Sequence, residues 1–238
     1  MPYFPDKNCL FIHIPKCAGT YVENHLDLPL SFGLLDRPSP RTRISKKIIS
    51  KLKLLINKES DQQIVAFAKR RMLFGYGLGG FALQHATLAE ILGLRLIDPP
   101  TLQSSFVFSV HRDPIHRAIS VYKYWNFNRK MSFSQFCEDV IANPWRANLT
   151  HSQLTHLRRQ VDFVMIDGYI PDYVKMVPLH ALNDFLIKIS DQFGWPKPSE
   201  NPLNVSESSN DFPLLTKDVD LIQERYAADF EAFGYQHR

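Results

Sequence analysis

One stretch near the amino terminus, Cys9–Leu26, constrains the fold of this chain more than any other. Its apolar run Cys9–Ile14 predicts a buried strand that Pro15 ends, and from Gly19 onward the apolar spacing becomes helical. Lys16–Gly19 forms the short turn between them. This arrangement predicts an anion site, because the N–H groups of a helix's first turn are free and the dipole is positive there. The equally weighted alternative is an ordinary turn with an exposed lysine.

A second strand followed by a helix is predicted in the middle of the chain. The apolar run Ser104–Val110 predicts another buried strand. Asp113 is a favourable N-cap and Pro114 a favourable first residue for a helix that extends to about Trp125. Arg112 then lies between the strand end and the helix start.

Two side chains near this second helix start suit phosphate binding. Arg112 leaves the carboxyl end of a strand, where ligands collect in open α/β sheets, and a guanidinium can bind phosphate in a bidentate manner. Ser120 lies two turns into the helix and offers a hydroxyl. The competing interpretation places Arg112 and Arg117 on the surface and buries Ser120 inside the helix packing. Two strand-end anion sites in one chain suit a ligand with phosphates at both ends of a nucleoside.

The rest of the chain alternates predicted loops, helices and one more strand. The predicted loops are Pro29–Pro40, Phe74–Phe81 and Glu200–Pro213, the predicted helices are Ile44–Ile56, Thr87–Leu92, Ser132–Ala142, His151–Arg159, Leu179–Phe193 and Thr216–Phe230, and the third predicted strand is Asp162–Ile166. Capping boxes mark the helix starts at Thr87 and Ser132. This alternation favours an α/β fold of three layers with a central parallel sheet flanked by helices.

Composition favours one soluble domain over residues 1–238. Of the 238 residues 45% are hydrophobic, which is enough for a core, and the formal net charge is only +4. The positive charge is concentrated, because residues 37–71 hold 11 basic and 2 acidic residues. This block is either a solvated face or a surface that receives an acidic substrate. Residues 27–73 are interpreted as a variable segment on the substrate side.

The cysteines and the amino-terminal sequence indicate the cellular compartment. Cys9, Cys17 and Cys137 are odd in number and irregularly spaced, which predicts neither a disulfide framework nor a zinc site. Cys17 at a helix start beside a lysine is a weaker candidate for a reactive thiol. The sequence shows no signal peptide and no apolar run of membrane-spanning length, so we expect a cytoplasmic protein. A Golgi lumenal catalytic domain without its anchor would look the same.

The two anion motifs resemble a known family. FIHIPKCAGT resembles the 5′-phosphosulfate loop of sulfotransferases that use 3′-phosphoadenosine 5′-phosphosulfate (PAPS), and FVFSVHRDPIHRAISVY is similar to their 3′-phosphate-binding strand and helix. The carboxyl end, with an N-x-S loop, a Thr-capped helix and Y-x-x-D-F-x-x-F-G-Y, looks like the same branch. That branch is the carbohydrate sulfotransferases of Golgi type, including the uronyl 2-O-sulfotransferases, and their soluble bacterial relatives. The resemblance implies a P-loop-like fold.

The resemblance also implies roles for individual residues. Lys16 would be catalytic, contacting the bridging oxygen and the departing 5′-phosphate. His85 matches the family's catalytic base, and the helix that starts at Thr87 should disfavour its imidazolium form. Glu23 and His25 are the reserve bases. The implied cofactor-binding residues are Lys16, Cys17, Ala18, Gly19, Thr20, Tyr21, Arg112 and Ser120. The family usually has Thr where this chain has Cys17, and Ser where it has Tyr21.

The expected function is therefore transfer of a sulfuryl group from PAPS to an acceptor hydroxyl, most readily on a carbohydrate, without a metal. Adenosine 3′,5′-bisphosphate would be the product, and we expect neither a nucleic-acid partner nor a membrane span. One alternative is a P-loop-related nucleotide kinase or other phosphoryl transferase, against which the missing G-K-[ST] counts. The other is a non-catalytic module that binds an anionic polymer through residues 37–71.

Overall fold

The computed structural model describes residues 3–4, 7–26, 83–198 and 213–237. The predicted loops Pro29–Pro40 and Phe74–Phe81, the predicted helix Ile44–Ile56 and the basic block at 37–71 lie outside the described residues, as does nearly all of the predicted loop Glu200–Pro213. Within the described part of the chain, no helix has the length and apolarity needed to cross a membrane.

A mostly parallel sheet forms the centre of the described fold. Its four strands, in spatial as well as chain order, are β1 (Tyr3–Phe4), β2 (Cys9–Ile12), β3 (Phe106–His111) and β4 (Val174–Pro178). β1 pairs antiparallel with β2, whereas β2, β3 and β4 run parallel. All of β2 is buried, as is all of β3 after its first residue, which explains why both were visible in the sequence as continuous apolar runs.

Helices follow and connect these strands. They are α1 (Gly19–His25), α2 (Leu88–Gly93), α3 (Pro99–Ser104), α4 (Pro114–Tyr124), α5 (Phe133–Phe136), α6 (His151–Leu157), α7 (Leu182–Phe193), α8 (Thr216–Arg225) and α9 (Ala227–Phe233). A π-helical segment, Cys137–Ile141, extends α5. The capping boxes predicted at Thr87 and Ser132 are confirmed, and so are the N-cap Asp113 and the first-turn Pro114 of α4. The chain therefore has an α/β fold.

The third strand was predicted in the wrong place. Asp162–Ile166 is not a strand: Val161–Phe163 is a 3₁₀ turn, and Ile166 makes only an isolated bridge with Tyr169. The strand that pairs with β3 is β4, Val174–Pro178. A short apolar run cannot be told from a buried helical turn by its periodicity. The run at 162–166 is such a case, because Phe163 and Val164 are core residues and Ile166 packs against them.

The last predicted helix is two helices. The predicted span Thr216–Phe230 is interrupted at Tyr226, whose backbone departs from helical geometry and whose hydroxyl donates to the carbonyl of Leu157 at 3.1 Å. Thr216 is not the cap of α8, because it is the first helical residue and Leu215 is the N-cap.

Two apolar clusters make up the core. The first packs the strands against α1, α2, α3 and α7, and the second is formed mainly by α4, α5, α8 and α9. The two clusters approach each other at the turn after β2. Arg117 of α4 donates there from Nε to the carbonyl of Pro15 at 3.1 Å and from Nη2 to that of His156 at 2.9 Å. The two predicted anion turns are therefore placed side by side.

Candidate anion-binding site

The turn after β2 has an unusual backbone. Lys16 and Ala18 both adopt positive φ, of 67° and 60°, which costs free energy for residues that carry a Cβ. Ala18 is the N-cap of α1 and provides no side-chain cap, while the N–H groups of Tyr21 and Val22 are the ones that bond back to its carbonyl. The N–H groups before them in the turn thus precede the first intrahelical bond, as anion binding by backbone requires.

Gly19 is required at the start of α1 by a close contact with a histidine. A Cβ at this position would overlap the imidazole of His13, which comes just after β2. The φ of Gly19 is not among the positive ones, so the requirement is steric rather than conformational. Gly19, one of the implied cofactor-binding residues, is therefore also needed to seat His13 against the turn.

Two cations converge at this turn. Nη1 of Arg112 lies 3.5 Å from the carbonyl oxygen of Lys16, and the Lys16 ammonium lies 3.8 Å from the ring centroid of Tyr124. Burial, and then the neighbouring charge of Arg112, lower the pKa of Lys16 to about 8. Burial also lowers the pKa of Arg112. Neither cation has an ion-pair partner among residues 3–4, 7–26, 83–198 and 213–237.

Arg117 is not a surface residue, contrary to the competing sequence interpretation. Its side chain is only 1% exposed, and its guanidinium holds the two carbonyls that border the site. Val121, one turn further along α4, is also buried, which is the sequence signal that this face of the helix is covered. Arg117 therefore stabilises the conformation of the turn through its hydrogen bond to the carbonyl of Pro15.

Cys17 is buried and engaged. Its thiol donates to Oε1 of Gln160 at 3.2 Å, and burial raises its pKa to about 11. The weaker hypothesis of a reactive thiol with a lowered pKa is wrong in direction, because desolvation outweighs the positive charges nearby. Gln160 was not visible as a site residue in the sequence, and no local pattern marks it.

His85 is held in one tautomer. Its Nδ1 donates to the carbonyl of His13 at 3.0 Å, which leaves Nε2 as the unprotonated nitrogen. The pKa of His85 lies well below its usual value, because of burial first and then the charges of His13 and His156. The expected direction is confirmed, although burial rather than the start of α2 is the main cause. The ring is a neutral proton acceptor near pH 7.

Aromatic rings connect His85 to the lysine turn. The ring centroid of His85 lies 4.5 Å from that of His13 and 5.3 Å from that of His156. His156 in turn stacks on Tyr124, with centroids 5.3 Å apart and an 11° interplanar angle. Burial lowers the pKa of His156 to about 4. Sequence reasoning missed both His156 and Tyr124; each lies on a correctly predicted helix, but only the fold brings them to the turn.

The reserve bases occupy other roles. Oε1 of Glu23 lies 2.7 Å from Nδ1 of His13. Burial alone would raise the pKa of Glu23, but the His13 charge and hydrogen bond bring it below its usual value. Nε2 of His25 lies 2.9 Å from the Ser190 hydroxyl on α7. Both reserve bases thus make side-chain hydrogen bonds of their own, whereas the hydrogen bond of His85 goes to a backbone carbonyl.

Among the remaining predicted cofactor residues, the side chain of Tyr21 is already hydrogen-bonded, whereas Thr20, Ala18 and Ser120 are partly or fully exposed. Tyr21 is buried and donates its hydroxyl to Oδ1 of Asn183 on α7 at 2.7 Å, so that group is already in use. Thr20 is exposed at the start of α1, Ala18 is half-buried in the turn, and Ser120 is half-buried on α4. The structure therefore brings the lysine turn, Arg112 and His85 together, while the side chains of Tyr21 and His25 face α7.

The carboxyl-terminal pattern anchors the second turn. Nδ1 of His111, at the end of β3, lies 2.8 Å from the Tyr235 hydroxyl, and Phe233 stacks on the His111 ring. Burial, together with the charge of His180, lowers the pKa of His111 to about 4. Burial raises the pKa of Tyr235. The aromatic residues of this pattern hold the backbone from which Arg112 projects.

No family model, no curated protein and no solved structure matches the chain. Within the described ranges, no group of three or more histidine, cysteine or carboxylate side chains is arranged to hold a metal ion.

Proposed function

We propose that this protein is a PAPS-dependent sulfotransferase with a three-layer, P-loop-like fold and an acceptor hydroxyl on a carbohydrate. The observation that carries the proposal is the pair of cations at adjacent strand ends, Lys16 and Arg112, which lack ion-pair partners in the part of the chain that the structure describes. Partly burying unpaired charges is costly unless a ligand of opposite charge binds there. The carboxyl edge of a parallel sheet is where such ligands bind in α/β folds.

A ligand with two separated phosphates matches the two turns. The turn at Lys16 offers backbone N–H groups and an ammonium, which suit the phosphosulfate end. The Arg112 guanidinium and the half-buried Ser120 hydroxyl suit a 3′-phosphate. The resemblance to the PAPS sulfotransferases assigns the same roles to the same positions.

The proposed chemistry is in-line displacement at sulfur. Nε2 of His85 accepts the proton of the acceptor hydroxyl as the new S–O bond forms. When bound, PAPS supplies the sulfuryl group and releases adenosine 3′,5′-bisphosphate as the S–O bond to its phosphate breaks. The Lys16 ammonium stabilises the negative charge that develops on that released oxygen. Because His85 is already neutral, no proton has to be removed from it first.

A nucleotide panel tests the proposed cofactor. We expect adenosine 3′,5′-bisphosphate to raise the melting temperature of the full chain by several degrees, and ATP with Mg²⁺ to raise it much less. A larger shift with ATP–Mg²⁺ would favour the phosphoryl-transferase alternative. Polymer binding that depends steeply on salt, without any shift from the bisphosphate, would favour the anionic-polymer module.

A transfer assay tests the reaction itself. Labelled PAPS is incubated with the protein and with panels of glycans, lipids and small alcohols, and transfer of label is measured. We expect label on a glycan hydroxyl. Tight bisphosphate binding with label transferred only to a lipid or small alcohol would retain the sulfotransferase and reject the carbohydrate acceptor.

A further inference from the structure

One buried amide side chain connects the two proposed phosphate turns. Gln160 follows α6 and is 0% exposed. Its Oε1 accepts the backbone N–H of Arg112 at 2.9 Å and the thiol of Cys17 at 3.2 Å. Its Nε2 donates to the carbonyl of Arg112 at 2.8 Å. A single side chain thus binds the backbone at the second turn twice and the side chain of the first turn once.

The amide is itself held in a fixed orientation. Asp229 of α9 is fully buried, and its Oδ2 accepts the backbone N–H of Gln160 at 2.9 Å while Oδ1 accepts that of Val161 at 3.0 Å. Nε2 of Gln160 also lies 3.4 Å from Oδ2 of Asp229. Since a buried amide whose partners are all satisfied has one low-energy orientation, the bonds to Arg112 and Cys17 cannot exchange freely.

We propose that Gln160 is a positioning residue that fixes the spacing of the two anion turns, and so selects nucleotides with phosphates at both ends over nucleotides with one. This inference rests on the proposed function. The physical reason is two-point binding: the second phosphate gains affinity from the first only if both sites stand at the ligand's own spacing. Loosening that spacing weakens the two-ended ligand and leaves one-ended ligands nearly unchanged.

The test compares three ligands on the full chain by calorimetry. They are adenosine 3′,5′-bisphosphate, adenosine 5′-monophosphate and adenosine 3′-monophosphate. In Gln160→Met, which keeps the volume but loses the bonds to Arg112 and Cys17, we expect the Kd of the bisphosphate to rise about tenfold. We expect the Kd of each monophosphate to change by less than about twofold.

A matched control separates positioning from loss of stability. Tyr226→Phe removes another buried hydrogen bond, from the Tyr226 hydroxyl to the carbonyl of Leu157, without touching either turn. It should lower the melting temperature and leave the ratio of bisphosphate to monophosphate affinity as in the unmodified protein. If Gln160→Met does not fold, Asp229→Asn, which weakens the support of Gln160 from behind, should lower the same ratio by a smaller factor.

The outcomes are distinguishable. An unchanged ratio in a folded Gln160→Met or Asp229→Asn protein, or an equal loss for all three ligands, overturns the inference and leaves the proposed function standing. An unmodified protein that shows no preference for the bisphosphate overturns both. A ratio that falls in the Gln160 variant and holds in Tyr226→Phe supports the positioning role.

Discussion

The two strand-to-helix turns have the same architecture but present different groups to a ligand. After β2, Ala18 caps α1 without a side-chain bond, and the backbone of the turn passes through two left-handed residues. After β3, Oδ1 of Asp113 accepts the N–H groups of Ile115 and His116 at 2.8 Å and 3.0 Å. The start of α1 has no side-chain cap, whereas the first N–H groups of α4 are hydrogen-bonded to the Asp113 carboxylate.

In the proposed function, the anion site after β3 therefore does not use the helix that follows it. With the N–H groups of α4 already bonded and a carboxylate beside them, the second turn can hold a phosphate only through side chains. Arg112 and Ser120 are the side chains proposed for this role. The first turn can supply backbone N–H groups together with Lys16, which suits the end of the ligand where charge develops. The first turn is therefore the proposed reactive end and the second the proposed binding end.

The largest effect is expected from Lys16→Ala at the reactive end. We expect kcat for sulfuryl transfer to fall about 10³-fold, because the developing charge on the leaving oxygen loses its preorganised cation. The melting temperature should change little, since the lost contact with the Tyr124 ring is offset by removal of a half-buried cation that has no ion-pair partner among the described residues. Lys175→Ala, at an exposed position of β4, is the matched control. Near-normal transfer by Lys16→Ala would reject the assignment of the reactive end.

The next effect is expected from His85→Gln. A glutamine can still donate to the carbonyl of His13 but accepts a proton poorly, so kcat should fall about 10²-fold while the Kd of adenosine 3′,5′-bisphosphate is retained. Calorimetry and initial rates measure the two quantities. Loss of nucleotide affinity in this variant would show that His85 supports the turn rather than the chemistry.

The pH profile of the unmodified protein sharpens the same prediction. His85 must be neutral to act, and its pKa in the fold lies well below 6.5, so on the acid side kcat should fall only at a pH well below 6.5. On the alkaline side kcat should fall above about pH 8, because the pKa of Lys16 is lowered to about 8 and its ammonium is needed. Stability falls in the same direction: His111 and His156 have pKa values of about 4 in the fold and about 6.5 when unfolded, so the unfolded chain binds more protons between these limits. Melting curves across pH 4–6.5 separate unfolding from protonation of the base.

Arg112→Ala should act on binding more than on turnover. Losing a charge-assisted hydrogen bond costs about 1.5–3 kcal/mol, so the Kd of adenosine 3′,5′-bisphosphate should rise about 10- to 100-fold. The Kd of adenosine 5′-monophosphate should rise by a smaller factor, because a ligand at the first turn loses only the nearby charge of Arg112 and not its proposed hydrogen bonds. Arg146→Ala, at an exposed position, serves as the control. An equal loss of affinity for both nucleotides would contradict the assignment of the two turns to different phosphates.

Gly19→Ala tests the contact that seats His13 against the first turn. The added Cβ would meet the His13 ring, and we expect a loss of about 1–3 kcal/mol in the free energy of unfolding. In a His13→Ala background, the same substitution should cost much less, because the obstructing ring is gone. Denaturant unfolding of the four proteins measures the coupling. If the losses of unfolding free energy from Gly19→Ala and His13→Ala were additive, Gly19 would be needed for a reason other than its contact with His13.

The smallest effect is expected at the cap of the second turn. Asp113→Asn keeps an acceptor for the N–H groups of Ile115 and His116 and removes the negative charge, so bisphosphate affinity should rise about two- to fivefold. Asp113→Ala should instead lower the free energy of unfolding by about 1 kcal/mol. Weaker binding by the Asn variant would mean that the carboxylate does not face the phosphate.

Local features of the fold were predictable from the sequence. The start of α1 at Gly19, the capped start of α4 at Asp113 and the boxes at Thr87 and Ser132 were each specified by residues at most four positions apart. The three capped starts depend on hydrogen bonds within one turn of chain, so reading the sequence is enough. Strand β4 was missed because pairing with β3 is decided between segments more than sixty residues apart.

The candidate site shows the same division. The sequence by itself was enough to propose Lys16 and Arg112, because a strand end followed by a basic residue is visible locally. It was enough to propose His85 through the family resemblance together with the capped helix that follows it. Only the tertiary structure decided that Arg117 is buried, that Tyr21 faces α7, and that a glutamine 143 residues from Cys17 binds its thiol. The reason is physical: burial and hydrogen bonding of a polar side chain depend on which distant segment covers it, and no local spacing encodes that.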